Sequence, residues 1–329
     1  MIMLITRARL CLLAVLLGWL FLSATSVRAA VSSQIITFNT VTMSDQQLLR
    51  GKGGESAGIV GALKLPAGKN NPVVILLYGA SGYTYELQDW VELLNQRGIG
   101  TFMVDSTNGR IESSSSLRRM ALIRDAYAAL AQLAQHPGID RKRIGLIGFT
   151  QSGQAALYAG MKRMQSLYGQ ADLSFAAIAS FYPDCSFQYR EDEVLIEAPI
   201  RIYHGADDQV NAADNCRHYV SRSAGTGGNI QITSYPDAGH AFDLIRSDKV
   251  RSGLERSLRG CTIREGVKGI LLNQETGRVF RMEDDCVQPA GPWAYNAAAA
   301  NDVRLKLPQF FTQVFKLEEP VSAARLATQ

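Results

Sequence analysis

Three side chains of this sequence have the types and the order needed for nucleophilic catalysis by a hydroxyl group. Thr150, Asp208 and His240 each come just after a predicted β-strand. A neutral hydroxyl is a poor nucleophile until a nearby imidazole takes its proton, and a carboxylate orients that imidazole and stabilises its charged form. Such a set could cleave an ester or another acyl bond.

The candidate nucleophile lies in the segment Arg143–Ala156, which has the pattern of a strand, a tight turn and a helix opening near Ser152. This is the shape of a nucleophile elbow, whose usual sequence is Gly-x-Ser-x-Gly. Here the frame starting at Gly148 places Thr150 at the apex, and Ser152 replaces the second glycine. The apex usually takes a positive φ, which a β-branched residue disfavours, and the threonine methyl crowds the carbonyl to be attacked. Three interpretations stay open: Thr150 acts, Ser152 acts in its place, or the protein does not hydrolyse.

Predicted strands alternate with predicted helices along most of the chain, which indicates a doubly wound, mostly parallel α/β sheet. Two further strands, Gln34–Thr42 and Gly58–Leu65, are expected to add antiparallel pairing at the N-terminal edge. Open α/β sheets place their sites at the carboxyl ends of strands, where all three candidates lie. The strands predicted for the parallel part are Pro72–Leu77, Gly98–Asp105, Ile144–Phe149, Phe175–Tyr182, Pro199–His204 and Ile230–Tyr235, and the helices between them include Tyr85–Gln96, Leu117–Gln135 and one running from the elbow to about Tyr168.

Several motifs, in order and at sensible spacing, resemble the dienelactone hydrolase type of the α/β-hydrolase superfamily. The similarity runs from about Pro72 to Phe315, with an insertion between Asp243 and Gly291. The resemblance implies an α/β-hydrolase fold. The matching segments are RIGLIGFTQSGQAALYA (143–159), SFYPDC (180–185), YHGADDQV (203–210), NCRHYV (215–220), YPDAGHAFD (235–243) and GPWAYNAAAANDV (291–303), the last resembling the family's final helix.

The resemblance also implies roles for the three candidates. Position 150 would be the nucleophile, His240 the general base and Asp208 the acid that orients it. Asp207 is the rival acid, and Asp208 is preferred because the family's acid usually falls three residues after the glycine, here Gly205.

An oxyanion hole would use two backbone amides, one from Gln151 and the other from Ala80 or Ser81. Tyr78 takes the place of a histidine often seen before the glycine at position 79. No metal and no organic cofactor is expected, and the expected partner is a small ester or lactone.

A second function class stays open beside the hydrolase. The intact acid and histidine favour hydrolysis, whereas the altered apex and the lost glycine favour a degenerate α/β-hydrolase that binds a ligand or partner without turnover. A dehydrogenase is disfavoured because no Gly-x-Gly-x-x-Gly follows the first strand.

The insertion, residues 244–290, lies between the candidate histidine and the last helix. Within it, Gly269–Leu272 and Arg278–Phe280 flank a turn-forming NQETG segment and predict a hairpin. The insertion would either cap the mouth of the site or be a disulfide-bonded segment with a structural role only.

Four cysteines, Cys185, Cys216, Cys261 and Cys286, follow the N-terminal region. They allow three pairings, of which we favour Cys185 with Cys216 and Cys261 with Cys286.

Residues 1–30 have the pattern of a secretory signal peptide. Arg7 and Arg9 precede the apolar run Leu10–Leu22, and small residues near Ala29 and Ala30 offer a cleavage site. The run is short of the roughly 20 residues that a membrane-spanning helix needs, so no stable membrane span is expected after cleavage. Export to the periplasm or the medium would permit two disulfides.

Length and charge complete the prediction. Residues 31–329 are expected to form one α/β-hydrolase domain, and 47% hydrophobic residues suit a full core. The net charge of +4 has no basic stripe to accompany it, so nucleic-acid binding is not expected.

Overall fold

A computed structural model describes residues 31–78, 85–107, 110, 120–245 and 256–318. The candidate signal peptide lies outside these residues. Among the described helices, none is long and apolar enough to cross a membrane.

An eight-stranded sheet forms the centre of the protein. Its strands are β1 (Val31–Thr42), β2 (Glu55–Pro66), β3 (Asn71–Tyr78), β4 (Gly100–Asp105), β5 (Ile139–Phe149), β6 (Ala177–Phe181), β8 (Ile200–Gly205) and β9 (Ile230–Tyr235). Their order across the sheet is β1-β2-β4-β3-β5-β6-β8-β9. The pairs β1/β2 and β2/β4 are antiparallel, and every pair from β4 to β9 is parallel. The predicted doubly wound sheet with antiparallel strands at its N-terminal edge is therefore confirmed.

Helices cover both faces of this sheet, so its central strands are apolar on both sides. Along β3, Val73, Ile75 and Leu77 join one core cluster, while Val74 and Leu76 join the other. Successive side chains of a strand point to opposite faces, and a strand buried on both faces is therefore a continuous apolar run. The helices are α1 (Asp45–Arg50), α2 (Tyr85–Asn95), α3 (Ala121–Leu133), α4 (Gln151–Ala159), α5 (Lys162–Tyr168), α6 (Ala213–Gly225) and α7 (Ala297–Val314).

The sequence predicted one helix from the elbow to about Tyr168, but the structure has two helices there. The first ends at Ala159 and the second begins at Lys162. The carbonyl of Gly160 accepts the N–H of Ile196, and a Cβ at Gly160 would lie 2.5 Å from the Cδ1 atom of Ile200. A distant chain segment crosses at this point, which the local sequence does not reveal.

The last helix begins later than the quoted segment 291–303. It starts at Ala297, where the Asn296 side chain accepts the N–H of Ala299 at 3.0 Å and caps the first turn. Residues 291–296 form a loop in front of it.

The insertion forms small sheets beside the main one. Strand β11 (Ile263–Glu265) pairs in parallel with β7 (Phe187–Gln188) and antiparallel with β12 (Leu271–Asn273), while β10 (Arg256–Ser257) pairs with β13 (Gln288–Pro289). The predicted hairpin is present: the Asn273 N–H donates to the Arg278 carbonyl and the Phe280 N–H to that of Leu271. The favoured pairing is also confirmed, because disulfides join Cys185 with Cys216 and Cys261 with Cys286.

A buried carboxylate attaches the insertion to the main domain. The side chain of Glu265 is inaccessible to solvent and lies 2.6 Å from Arg163 of α5 and 3.1 Å from Arg190. Burial by itself would raise the pKa of Glu265, but its ion pairs and hydrogen bonds with these two arginines outweigh burial and hold that pKa below its usual value.

We expect Glu265→Gln to lower the free energy of unfolding at pH 7 by about 2–3 kcal/mol, because the mutation leaves the mostly buried Arg163 without its counter-charge. Since the folded-state pKa of Glu265 is depressed, its contribution is present above the unfolded pKa of about 4.3 and is lost as the pH falls below it. Urea unfolding at neutral and acidic pH measures both effects. Asp172→Asn, which breaks the exposed ion pair with Arg141, is the control and should cost below about 1 kcal/mol. Equal losses in the two variants would contradict an anchoring role for Glu265.

Candidate active site

The turn between β5 and α4 carries Thr150 in a strained backbone conformation. Its φ is 48° and its ψ is −110°, a region that β-branched residues rarely occupy. Strain of this kind costs about 1–3 kcal/mol and persists only where the surroundings fix it. Here the Thr150 N–H donates to the Phe181 carbonyl at 3.0 Å, and a Cβ at Gly148 would lie 2.0 Å from the Ser152 carbonyl oxygen. The turn is thus held on both sides by neighbouring backbone.

A chain of hydrogen bonds joins the three predicted residues. The Oγ1 atom of Thr150 lies 3.0 Å from Nε2 of His240, and Nδ1 of His240 lies 2.8 Å from Oδ2 of Asp208. These contacts bring together side chains separated by 90 and 32 positions in the sequence. With Nδ1 donating to Asp208, Nε2 is free of a proton and can accept the one on the hydroxyl.

The carboxylate of Asp208 is buried and well supplied with donors. Its Oδ1 atom accepts the backbone N–H groups of Val210 and Asn211, both at 2.8 Å. Burial by itself would raise the pKa of Asp208, but the electrostatic interaction and hydrogen bond with His240, the nearby His204 and the Asn211 N–H together outweigh burial and lower the pKa. Asp208 is therefore ionised at neutral pH and suited to orienting an imidazole.

The rival acid, Asp207, points elsewhere. Its side chain is exposed, while its backbone N–H donates to the Ala238 carbonyl at 3.0 Å. Gly205 is needed beside it, because a Cβ there would lie 2.3 Å from that same carbonyl oxygen. This close approach sets the loop that carries His240 against the loop that carries Asp208.

Ser152 is not brought to His240. It is fully buried, and its Oγ lies 2.8 Å from the carbonyl oxygen of Leu77 and 2.9 Å from the N–H of Phe149, which donates to it. The hydroxyl thus links the turn to strand β3, a contact that the usual glycine could not make. This geometry disfavours Ser152 as the nucleophile.

Only one of the expected oxyanion-hole groups falls within the described residues. Gln151 is the first residue of α4 and directly follows Thr150, so its backbone N–H lies in the first turn, at the positive end of the helix. Ala80 and Ser81 lie outside the described residues. Where the structure is described, no group of three or more His, Cys, Asp and Glu side chains could hold a metal ion.

Two aromatic rings enclose His240, and sequence reasoning assigned neither of them a role. The ring centroid of Tyr182 lies 4.7 Å from that of His240, and the centroid of Trp293 lies 5.4 Å from it. The Trp293 loop is attached to the histidine loop, because the Ala294 N–H donates to the His240 carbonyl at 3.0 Å. Both aromatic residues lie within the quoted motifs, and this was the only signal available in the sequence.

A second histidine, His204, lies beside the acid but outside the hydrogen-bonded chain. It is fully buried, with Nδ1 3.0 Å from the Gly205 carbonyl oxygen and 3.8 Å from Oδ2 of Asp208. Burial lowers its pKa, more than the charge of Asp208 raises it. The imidazole of His204 is therefore neutral at pH 7.

Comparisons with known proteins show similarity in sequence and in fold. The chain is 23% identical to acyl-protein thioesterase 1 of Gibberella zeae over 169 aligned residues. The alignment covers 50% of this chain and 71% of that relative. A dienelactone hydrolase-like promiscuous phosphotriesterase from metagenomic libraries superposes with a TM-score of 0.58 at 17% identity, covering 87% of this chain and 99% of the other. Thermogutta terrifontis esterase 2, phosphorylated by paraoxon, gives a TM-score of 0.52 at 15% identity, covering 80% and 91%. At such identities the two structures show a shared fold.

The sequence model of one family matches most of the chain. The dienelactone hydrolase family model covers residues 59–315. That range contains the elbow, the acid loop, the histidine loop and the last helix. The chain therefore belongs to the dienelactone hydrolase family.

Proposed function

We propose that this protein hydrolyses small carboxylic esters or lactones, with Thr150 as nucleophile, His240 as general base and Asp208 as the orienting acid. The observation that carries the proposal is the hydrogen-bonded chain Thr150–His240–Asp208, with distances of 3.0 and 2.8 Å. Membership of the dienelactone hydrolase family supports the reaction class.

In the first step His240 Nε2 takes the hydroxyl proton of Thr150 while Oγ1 attacks the acyl carbon. The carbonyl oxygen becomes an oxyanion, for which the backbone N–H of Gln151 is an expected donor. Collapse of the intermediate breaks the bond to the leaving alkoxide, which receives the proton from His240. Water then attacks the acyl-threonine while His240 takes one of its protons. The bond between the acyl carbon and Oγ1 breaks, His240 returns the proton to Oγ1, and the carboxylic acid is released.

The γ-methyl of Thr150 favours small acyl groups. It stands beside the attacking oxygen, and the strained backbone leaves the side chain little freedom to turn away. An acyl chain that branches next to the carbonyl would contact this methyl group before the acyl carbon reached Oγ1.

Export remains part of the proposal. The two disulfides, Cys185–Cys216 and Cys261–Cys286, favour an oxidising compartment. They support the interpretation of residues 1–30 as a cleaved signal peptide, on which the periplasmic or secreted location depends.

We also propose that the insertion acts as a cap beside the site. Its Ser257 hydroxyl donates to the Val210 carbonyl at 2.7 Å and its Arg259 guanidinium to that of Gln209, in the turn directly after Asp208. The insertion also contacts α1, because the side-chain amide of Gln46 donates a hydrogen bond to the Lys268 carbonyl at 3.1 Å.

His240→Ala should lower the rate of hydrolysis of short p-nitrophenyl esters by the mature protein about 10²–10⁴-fold, since this is the usual contribution of a general base. Initial rates by absorbance measure this loss. His218→Ala, which removes an exposed histidine on α6, is the control and should keep full activity. Equal, background rates in the wild type and His240→Ala would contradict the proposal and favour a binding protein without turnover.

Thr150→Ser should raise kcat/KM on these esters about tenfold, the equivalent of about 1.4 kcal/mol, because it keeps the hydroxyl and removes the crowding methyl. Thr150→Val, which keeps the branched shape without the hydroxyl, should be inactive. Ser152→Ala should lower stability but leave Thr150 in place. If Ser152→Ala were inactive while well folded and Thr150→Val were active, Ser152 would be the nucleophile.

Replacing Cys261 and Cys286 by serine should destabilise the fold by about 3 kcal/mol and change KM for larger esters. Steady-state kinetics at a temperature where the variant is folded, checked by circular dichroism, test this. The disulfide Cys185–Cys216 closes a loop of similar length outside the insertion, and its replacement by serine is the comparison for the loss of stability only. Unchanged KM in the insertion variant would contradict the cap.

A further inference from the structure

His204 is a buried histidine that the proposed chemistry does not use. Its side chain is inaccessible to solvent, and the polar atoms that contact its two ring nitrogens are all acceptors. Nδ1 lies 3.0 Å from the Gly205 carbonyl oxygen and 3.8 Å from Oδ2 of Asp208, and Nε2 lies 3.4 Å from the Pro183 carbonyl oxygen. Burying a polar ring is costly for stability unless its hydrogen bonds are made, so these contacts must account for its presence.

These acceptors determine which ring nitrogen of His204 carries the proton. A neutral imidazole has one N–H group and one bare nitrogen. The nearest acceptor, the Gly205 carbonyl oxygen, lies at Nδ1, and the negative charge of Asp208 lies on the same side of the ring. The proton therefore belongs on Nδ1, from which it is donated to the Gly205 carbonyl. The 3.8 Å to Asp208 is too long for a hydrogen bond, but at that distance the carboxylate still attracts the N–H group.

The Gly205 carbonyl belongs to the peptide group with which the acid loop begins. The N–H of the same peptide, on Ala206, donates to the Tyr235 carbonyl at 2.8 Å. His204 and Tyr235 therefore hold this peptide from its two sides. A firm hold is needed here, because glycine changes its backbone angles more easily than any other residue, and position 205 admits no Cβ beside the Ala238 carbonyl.

The same peptide sets the place of Asp208 relative to the histidine loop. Within the acid loop, Oδ1 of Asp208 accepts the N–H groups of Val210 and Asn211. Those two bonds fix the carboxylate to its own loop, but they do not fix the start of the loop to strand β8. The contact between His204 and the Gly205 carbonyl does so. A rotation of the peptide after Gly205 would move the whole acid loop, and with it Oδ2 of Asp208.

We propose that His204 is a positioning residue: with its proton on Nδ1, it holds the peptide between Gly205 and Ala206 and so keeps Oδ2 of Asp208 on Nδ1 of His240. The inference rests on the proposed hydrolytic function. It assigns a purpose to a second buried histidine beside the acid, which neither accepts a proton from Thr150 nor contacts the attacking oxygen in the proposed reaction.

Two amide substitutions distinguish the two nitrogens of His204. The side-chain nitrogen of asparagine lies as many bonds from Cβ as Nδ1 does, and that of glutamine as many as Nε2. We expect His204→Asn to keep kcat within about threefold, and His204→Gln and His204→Phe to lower it about 10- to 100-fold, because small misplacements of a catalytic group have effects of this size. KM should stay within about twofold in all three variants, because no contact with the substrate is removed.

His136→Phe is the control for these kinetics. Nδ1 of His136 also contacts backbone, accepting the Gly138 N–H at 3.1 Å, but it does so before strand β5, at the opposite end of that strand from Thr150. This variant should change stability only. An unchanged kcat in His204→Phe would overturn the proposal. So would an active His204→Gln beside an inactive His204→Asn, because the important contact would then be that of Nε2 with Pro183.

The position of the proton on His204 can be measured in the wild-type protein. The chain has four histidines, so ¹⁵N-histidine labelling of the full protein gives few ring signals. Long-range ¹H–¹⁵N correlations at about pH 8, where histidine is ordinarily neutral, show which nitrogen bears the proton. We expect Nδ1–H in His204 and His240, and Nε2–H in His136, whose Nδ1 is an acceptor. A proton on Nε2 of His204 would overturn the proposal.

The same spectra separate this proposal from the hydrolytic one, because they need no turnover. The Nδ1–H resonance of His240 should shift or broaden in His204→Phe and stay unchanged in His136→Phe. If the wild type hydrolyses no ester, the proposed function fails, and this resonance alone decides the role of His204. An unchanged His240 resonance in His204→Phe would overturn that role whatever the kinetics.

Discussion

The strained turn at Thr150, with its positive φ, is the constraint on which the site depends. The chain turns from strand β5 into helix α4 at a point where backbone atoms of the helix and of the neighbouring strand lie very close to it. A Cβ at Gly148 would lie 2.0 Å from the Ser152 carbonyl oxygen, and one at Gly153 would lie 2.5 Å from that of Phe181. Glycine relieves the crowding at both positions. The positive φ falls on Thr150 between them, which lifts its hydroxyl toward His240.

The surrounding structure holds that hydroxyl, the base and the acid as one unit. The disulfide Cys185–Cys216 joins the segment after Tyr182 to the helix after Asp208. The insertion contacts the turn after Asp208, and Gly205 lets the histidine loop approach the acid loop. Three loops from distant parts of the chain are therefore fixed by covalent, polar and close-packing contacts at one edge of the sheet.

The features that sequence reasoning missed share one property, which is that they depend on contacts between distant segments. The helix break at Gly160 follows from a crossing by the segment around Ile196. Tyr182 and Trp293 acquire their importance only from packing on His240. Glu265 becomes an anchor only beside Arg163, 102 positions away in the sequence. Apolar periodicity and turn residues carry no information about such pairings.

The sequence by itself determined the doubly wound sheet, its antiparallel N-terminal edge, the disulfide count and the candidates Thr150, Asp208 and His240. Local patterns suffice for these because parallel strands, once formed, bring their carboxyl ends to the same edge. Only the tertiary structure decided between Thr150 and Ser152 as the hydroxyl that faces His240, and between Asp208 and Asp207 as its acid partner. Neighbouring residues in a turn differ by where their side chains point, and that direction is set by the distant backbone packed against them.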